Sequence, residues 1–390
     1  MSTTRIAARC TRMGTEAAFR VFARAKELEA QGRDIVHMEI GEPDFPTPAP
    51  VLAAAQQALS TGNIHYTPAT GLPMLREAIA NYYQQRYGVL LNPARIVVTP
   101  GASGALLLAL GVLLDPDKQL MLADPGYPCN RNFAHFLHGR VQSVAVNENN
   151  TYQLTADLIE QNWQADTTAV LLASPSNPTG TIVPGEDLAR ICSVVHERGG
   201  TLLVDEIYHG LIYEGAAPSA LQYSDDVFVI NSFSKYFCMT GWRLGWLVVP
   251  EAYISEVDKL AQNIFLAAPT LSQYAALAAF SPENIQILEQ QRELFKARRD
   301  FLLPALRKLG FSIPVTPAGA FYLYAGCERF TNDSYQFAYQ LLEEVGVAVT
   351  PGLDFGNNAA ASHLRFAYTT SLPRLQEGIE RLHDFLAVSR

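Results

Sequence analysis

Between residues 95 and 249, short apolar runs alternate with longer stretches of helical spacing, and few architectures can absorb that order. Arg95–Thr99 is β-branched and stops at Pro100-Gly101, after which Gly104–Leu114 reads as a buried helix. Gln119–Ala123 closes at Asp124-Pro125-Gly126. Val141–Val146, Ala169–Ala173, Thr201–Asp205, Val227–Asn231 and Leu244–Val249 continue the series, with segments such as Gly185–Arg198 at helical spacing between them. Apolar runs this short and this continuous suit strands covered on both faces. Their alternation with helices predicts an α/β fold with a mostly parallel, seven-stranded sheet sandwiched by helices.

The pattern changes after about residue 282. Pro282–Leu309 is long, charged and helical, with Glu289–Asp300 expected as a solvated face. Then come Phe321–Tyr324, a helix near Asn332–Val345, Val347–Thr350, His363–Ala367 and a final helix from Pro373. This order predicts a second, smaller α+β domain. The first 45 residues hold a helix at about Ala17–Gln31 and a strand at Ile35–Ile40, which could pack with either domain.

Composition removes several classes of function. The chain has 390 residues, 29 basic and 38 acidic, for a formal net charge of −9. That balance repels nucleic acid, and no run of Lys and Arg offsets it. The longest apolar stretch, Gly104–Leu114, is far short of the roughly 20 residues that span a bilayer. Met1-Ser2-Thr3-Thr4-Arg5 lacks the charged-then-apolar order of a secretory signal. The five cysteines are scattered without a Cys-x-x-Cys pair. They read as reduced thiols of a cytoplasmic enzyme, with no metal site.

In open α/β sheets, ligands bind beyond the carboxyl ends of the strands. Those ends carry Gly101-Ala102-Ser103-Gly104, Tyr127, Ser174-Pro175-Ser176-Asn177, Asp205-Glu206-Ile207-Tyr208 and Ser232-Phe233-Ser234-Lys235. Small residues opening a helix leave backbone N–H groups for a phosphate. A lysine among Phe233, Tyr236 and Phe237 can be desolvated into an amine nucleophile. An acid at a strand end can face a protonated ring nitrogen. Together these are the demands of pyridoxal 5'-phosphate, which needs a Schiff-base lysine and an acidic partner for its pyridinium.

Ser174-x-x-Asn177-Pro178-Thr179-Gly180, Asp205-Glu206-x-Tyr208, Ser232-Phe233-Ser234-Lys235 and Gly241-Trp242-Arg243-x-Gly245 stand in the order and spacing of a known family. The chain resembles the class I/II aminotransferases, pyridoxal-phosphate enzymes of fold type I. The likeness runs from Gly41-Glu42-Pro43-Asp44-Phe45 to His363-Leu364-Arg365-Phe366-Ala367-Tyr368. It implies a large cofactor-binding domain over residues 46–284. It also implies a small domain formed from both chain ends, residues 1–45 and 285–390. Lys235 would carry the cofactor, Asp205 would pair with its ring nitrogen, and Tyr208 and Asn177 would bond its phenolic oxygen. Ser232, Arg243, Ser234 and the backbone at Gly101, Ala102 and Ser103 would hold its phosphate, and Tyr127 would stack on the ring. Arg365 would clamp the substrate α-carboxylate, with the Gly41 backbone against it. Tyr66 resembles the tyrosine that reaches the neighbouring subunit's phosphate, which implies a homodimer with shared active sites. The peptide bonds before Pro125 and Pro178 are expected to be cis.

The implied reaction is a ping-pong transfer of an amino group from an amino acid to a 2-oxo acid. Acid-specific members carry a lysine in the phosphate-loop segment where this chain has Ser103. That favours neutral aliphatic or aromatic substrates, with 2-oxoglutarate or pyruvate as acceptor and Phe19 and Tyr322 in the side-chain pocket. Two alternatives use the same scaffold. One is a lyase that eliminates a β-substituent. The other is a sensing domain of a transcription regulator, which would need a DNA-binding unit ahead of Gly41 where no segment of that size is found.

Overall fold

The computed structural model describes residues 5–62 and 64–388. Its eleven strands are β1 (Val36–Met38), β2 (Ile96–Thr99), β3 (Gln119–Asp124), β4 (Arg140–Ala145), β5 (Thr167–Ala173), β6 (Thr201–Asp205), β7 (Val227–Ser232), β8 (Gly245–Val248), β9 (Tyr322–Gly326), β10 (Val347–Pro351) and β11 (His363–Ala367). Seven form one sheet in the order β2-β8-β7-β6-β5-β3-β4. The pairings β3–β4, β3–β5, β5–β6 and β6–β7 are parallel, and β8 runs antiparallel to both β7 and β2. The fold is therefore the expected mostly parallel α/β sheet.

Side-chain alternation explains why these strands read as unbroken apolar runs. Leu202 and Val204 face one layer, while Leu203 between them faces the other. On the Leu203 side, Leu120, Leu171, Phe228 and Leu247 meet Leu106, Leu108 and Leu110 of the helix Gly101–Leu113. On the opposite side, Val170, Val204, Val229 and Trp246 meet Leu188, Ile191 and Val195 of the helix Gly185–Glu197.

The chain ends meet in a second sheet of order β1-β10-β11-β9. β1 pairs parallel with β10, Val36 opposite Val347 and Met38 opposite Val349. The N-terminal strand thus joins the smaller α+β layer, which resolves the choice left open by its sequence. The helix Pro282–Leu309 has the expected bounds. Pro282 stands in its first turn, the Ser281 hydroxyl accepts the Asn284 N–H at 3.2 Å, and Gly310 at φ 109° ends it.

Two expectations change. The helix expected at Gly104 begins at Gly101, because Pro100 presets the turn and the small residues continue it as a first helical turn. The Glu289–Asp300 stretch is only partly a solvated face. Arg298 and Arg299 are buried, the first held bidentately by Asp44 at 2.7 and 2.9 Å, the second by the Pro317 carbonyl at 2.7 Å and Glu214 at 2.8 Å. The Asp124–Pro125 and Asn177–Pro178 bonds are cis as expected, and so is Ser174–Pro175. Among the described residues, no helix is long and apolar enough to cross a membrane.

Leu203 is fully buried on the central strand β6. Leu203→Ala is expected to cost about 2–5 kcal/mol of stability, read as a lower urea midpoint with an unchanged slope. A smaller loss would mean that the helix layer collapses into the space.

Candidate active site

The carboxyl ends of β5, β6 and β7 and the two ends of the chain enclose a cavity of about 480 Å³. Gly41, Ala102, Ser103, Tyr127, Asn177, Asp205, Tyr208, Ser232, Ser234, Lys235, Arg243 and Arg365 all line it. Phe19 and Tyr322, expected at the side-chain pocket, line it as well. Gly101 lies just behind the lining, where an added Cβ would sit 2.6 Å from Arg243 Nη2. Tyr66 is not brought to this cavity and is 84% exposed.

Lys235 follows the last residue of β7 by three positions, and its Nζ donates to the Gly41 carbonyl at 2.5 Å. The ammonium lies 5.9 Å from the centre of the Phe321 ring. Burial pushes its pKa down to about 8. Arg365 and Arg243 push the same way, and Glu42 and Asp205 oppose them.

Asp205 ends β6 and is buried, with its Oδ1 accepting the Ile207 N–H at 3.0 Å. Burial pushes this acid up to about 6, against the Ile207 N–H and the Lys235 charge. A cation brought alongside would relieve that cost. Glu206 takes the other side of the chain. Its Oε1 accepts the Ser219 hydroxyl at 3.0 Å and the Ala220 N–H at 2.9 Å, and burial pushes it up to about 8.

One end of the cavity is made of small donors. The Ser232 hydroxyl donates to the Leu244 carbonyl at 3.1 Å and accepts the Ser234 N–H at 3.1 Å. Ala102 and Ser103 open the helix Gly101–Leu113, whose first N–H groups have no partner in the helix. Arg243 has φ 50° and donates to the Thr240 carbonyl at 3.0 Å. An added Cβ on Gly245 would meet Gly101 C at 2.7 Å, Asn231 O at 2.8 Å and Ala102 N at 2.9 Å, so only glycine lets helix and strand approach this closely.

Arg365, on β11, builds the other end. Its Nη1 donates to Asn177 Oδ1 at 3.0 Å, and its Nη2 donates to the Glu39 carbonyl at 2.5 Å and to Thr350 Oγ1 at 3.2 Å. The guanidinium lies 4.4 Å from the Tyr322 ring centre and 4.9 Å from that of Phe355. Its Nε is buried without a hydrogen-bond partner among the described residues. The Tyr208 and Tyr322 hydroxyls are 2.7 Å apart.

Several lining residues escaped the sequence reading: Glu16, Glu42, Cys129, Thr240, Asp354 and Phe355. Thr240 donates to Glu42 at 2.5 Å; Glu42 lies inside one quoted motif, without a role given to it, and Thr240 adjoins another, so neighbourhood could have suggested both. Glu16 precedes every strand and Asp354 follows a strand of the smaller sheet, so the strand ends of the large sheet mark neither.

A pocket with a pKa-lowered amine, a buried acid, a free arginine donor and a helix start defines an enzyme site for an anionic ligand. The chain matches the family model for aminotransferase class I and II over residues 33–382, and it belongs to that family. It is similar to the valine–pyruvate aminotransferase of Mycobacterium tuberculosis, 39% identical over 368 residues that make up 94% of this chain and 95% of the relative. It is 35% identical to the aspartate aminotransferase of Thermotoga maritima, across 93% of this chain and 94% of that protein. The solved structure of an aminotransferase from Mycobacterium tuberculosis superposes with a TM-score of 0.95 at 38% identity, covering 99% of this chain and 100% of that one. The aspartate aminotransferase from Thermus thermophilus with maleate gives 0.93 at 33% identity, covering 98% and 100%. The protein is an aminotransferase.

Gly245→Ala is expected to lower the melting temperature, because its Cβ would meet Gly101 C, Asn231 O and Ala102 N within 3.0 Å. An unchanged melting temperature would show that the strand and the start of the helix Gly101–Leu113 part to admit the methyl at little cost.

Proposed function

We propose that the protein is a pyridoxal 5'-phosphate-dependent aminotransferase. It moves the amino group of an L-amino acid with a neutral aliphatic or aromatic side chain to a 2-oxo acid, in two half-reactions. The observation that carries this reading is the meeting of Lys235, Asp205 and the unpartnered Nε of Arg365 in one cavity.

The residues present fit the cofactor. Gly101 packs so closely on Arg243 that a Cβ would displace it, and the helix start, Ser232 and Ser234 supply further donors for a phosphate. Asp205 offers a buried anion for a ring N–H, Tyr208 and Asn177 offer polar groups for a phenolic oxygen, and Tyr127 offers a ring to stack on. Pyridoxal phosphate, when bound, supplies an aldehyde that condenses with amines and a ring that accepts the electron pair left on Cα.

The chain's own groups do the rest. Arg365 is held by Glu39, Thr350 and Asn177 and flanked by two aromatic rings, which leaves its unpartnered Nε–H to meet the donor's α-carboxylate. Lys235 Nζ is the base that takes the Cα proton, and its lowered pKa keeps a usable fraction neutral near pH 7. The Ser103 position adds no cation for a distal carboxylate, which supports neutral donors. Tyr66, exposed on the single chain, would serve the neighbouring subunit's site in a homodimer.

Lys235→Ala is expected to lower amino transfer by about a hundredfold to ten-thousandfold, and borohydride should then attach pyridoxal phosphate to no residue of the cavity. Full activity in this variant would refute the assignment. Because only the neutral amine attacks an aldehyde, capture of pyridoxal phosphate by cofactor-free protein should speed up as pH rises and level off above about 8. A flat rate from pH 6 to 9 would contradict the lowered pKa.

A further inference from the structure

The cavity is electrically asymmetric. Its lining cations among the described residues are Lys235, Arg243 and Arg365. Its acids include Asp205 deep in the floor and Glu42 beside Thr240. Two more acids, Glu16 and Asp354, stand elsewhere on the wall. Asp354 is adjacent in the chain to Phe355, whose ring packs on Arg365. Glu16 stands on the same wall, one helical turn before Phe19, where Asp354 Oδ1 and Oδ2 accept the N–H groups of Ala17 and Ala18 at 2.8 and 3.3 Å.

Those two bonds also show what Glu16 is not doing. Glu16 precedes the helix Ala17–Ala30, but its own side chain makes no capping bond; the distant Asp354 caps the helix start instead. The Glu16 carboxylate turns to the cavity wall, where its Oε1 accepts the Cys129 thiol at 2.9 Å. Burial, reinforced by Glu16, pushes that thiol up to about 12, so Cys129 stays a neutral donor. Among the described residues Glu16 makes no ion pair, and the Arg131 guanidinium behind this wall donates to the Asp354 carbonyl.

We propose that Glu16 is a specificity-determining residue. Its carboxylate excludes a second carboxylate from the side-chain end of the cavity in both half-reactions, so the amino donor and the 2-oxo acceptor are both monocarboxylates. This rests on the transaminase reading above and adds the acceptor to it. A dicarboxylate would place one anion on Arg365 and its second among Glu16, Cys129 and the aromatic wall, where no cation lines the cavity. Like charges in a partly buried site repel more strongly than in bulk water. A methyl, branched or aromatic side chain meets Phe19, Tyr127 and Tyr322 instead.

The test compares holoenzyme and its Glu16→Gln and Glu16→Ala variants. For each, kcat/KM is measured for L-valine, L-alanine, L-aspartate and L-glutamate, and separately for pyruvate and 2-oxoglutarate. The wild type should prefer valine or alanine to either acidic donor, and pyruvate to 2-oxoglutarate, by at least about tenfold, the factor that corresponds to about 1.4 kcal/mol. Both variants should shrink those ratios by about tenfold. Succinate and propionate, titrated as non-reacting ligands, give a readout independent of turnover: the substitutions should tighten succinate relative to propionate. A wild type that takes glutamate and 2-oxoglutarate as readily as valine and pyruvate would overturn the proposal, as would ratios that stay fixed in both variants. Absence of transfer from every donor would instead overturn the transaminase reading itself.

Discussion

Lys235 Nζ donates to the Gly41 carbonyl, and the two residues are 194 positions apart. A charged amine cannot be taken out of water without cost, so something must hold it there. Beneath it, Phe233 packs on Trp246 at 5.0 Å and on Phe237 at 5.2 Å, and Phe237 packs on Phe280 at 5.3 Å. That aromatic base fixes the turn after β7. Above it, Gly41 comes from the segment just after β1, which is anchored by pairing with β10. The amine is desolvated only when both sheets are in place, so the reactive character of Lys235 is a property of the whole assembly.

The two ends of the cavity are assembled by different means. The small-donor end is local. β8 returns antiparallel alongside β7, so Ser232 pairs with Gly245 and reaches the Leu244 carbonyl, while Arg243 enters from the same connection. A parallel crossover would have carried Arg243 to the far end of the sheet. The Arg365 end is long-range. Its guanidinium is held by Glu39 from the N-terminal segment, Thr350 from β10 and Asn177 from the loop after β5. Anything that shifts the smaller sheet against the larger one moves Arg365 relative to Lys235 while leaving the Ser232–Arg243 corner intact.

That difference explains what could be read from the residues alone. The sheet was legible because its strands are buried on both faces and end in turn-forming residues, as with Thr201–Asp205 and His363–Ala367, whose bounds match the structure. The strand-end rule then found Asp205, Asn177, Ser232 and Lys235. It could not decide where the Val36–Met38 strand pairs, because three residues carry no register information; the long-range partner, β10, does. It also could not see Arg298 and Arg299 buried inside a helix that reads as solvated, since their partners Asp44 and Glu214 lie far away in sequence. The same holds for Glu16 and Asp354, which come together only because a loop after β10 caps a helix near residue 17.

The sign of charge along the cavity follows from these separate origins. Asp205 ends β6 and Glu206 follows it, and the two carboxylates take different partners. Glu206 caps the turn at Ser219 and Ala220, and burial moves it toward the neutral form, which leaves Asp205 as the anion at the strand end. Arginines frame that anion and the lysine amine on both sides, matching a ligand with one anionic group at each end. A chain of net charge −9 has no general surplus of cations to draw substrates in. Selectivity therefore has to come from where three cations and a few fixed acids stand within the cavity. The wall contributed by the helix start at Ala17 is where a substrate's side chain would meet an acid and where no cation lines the cavity.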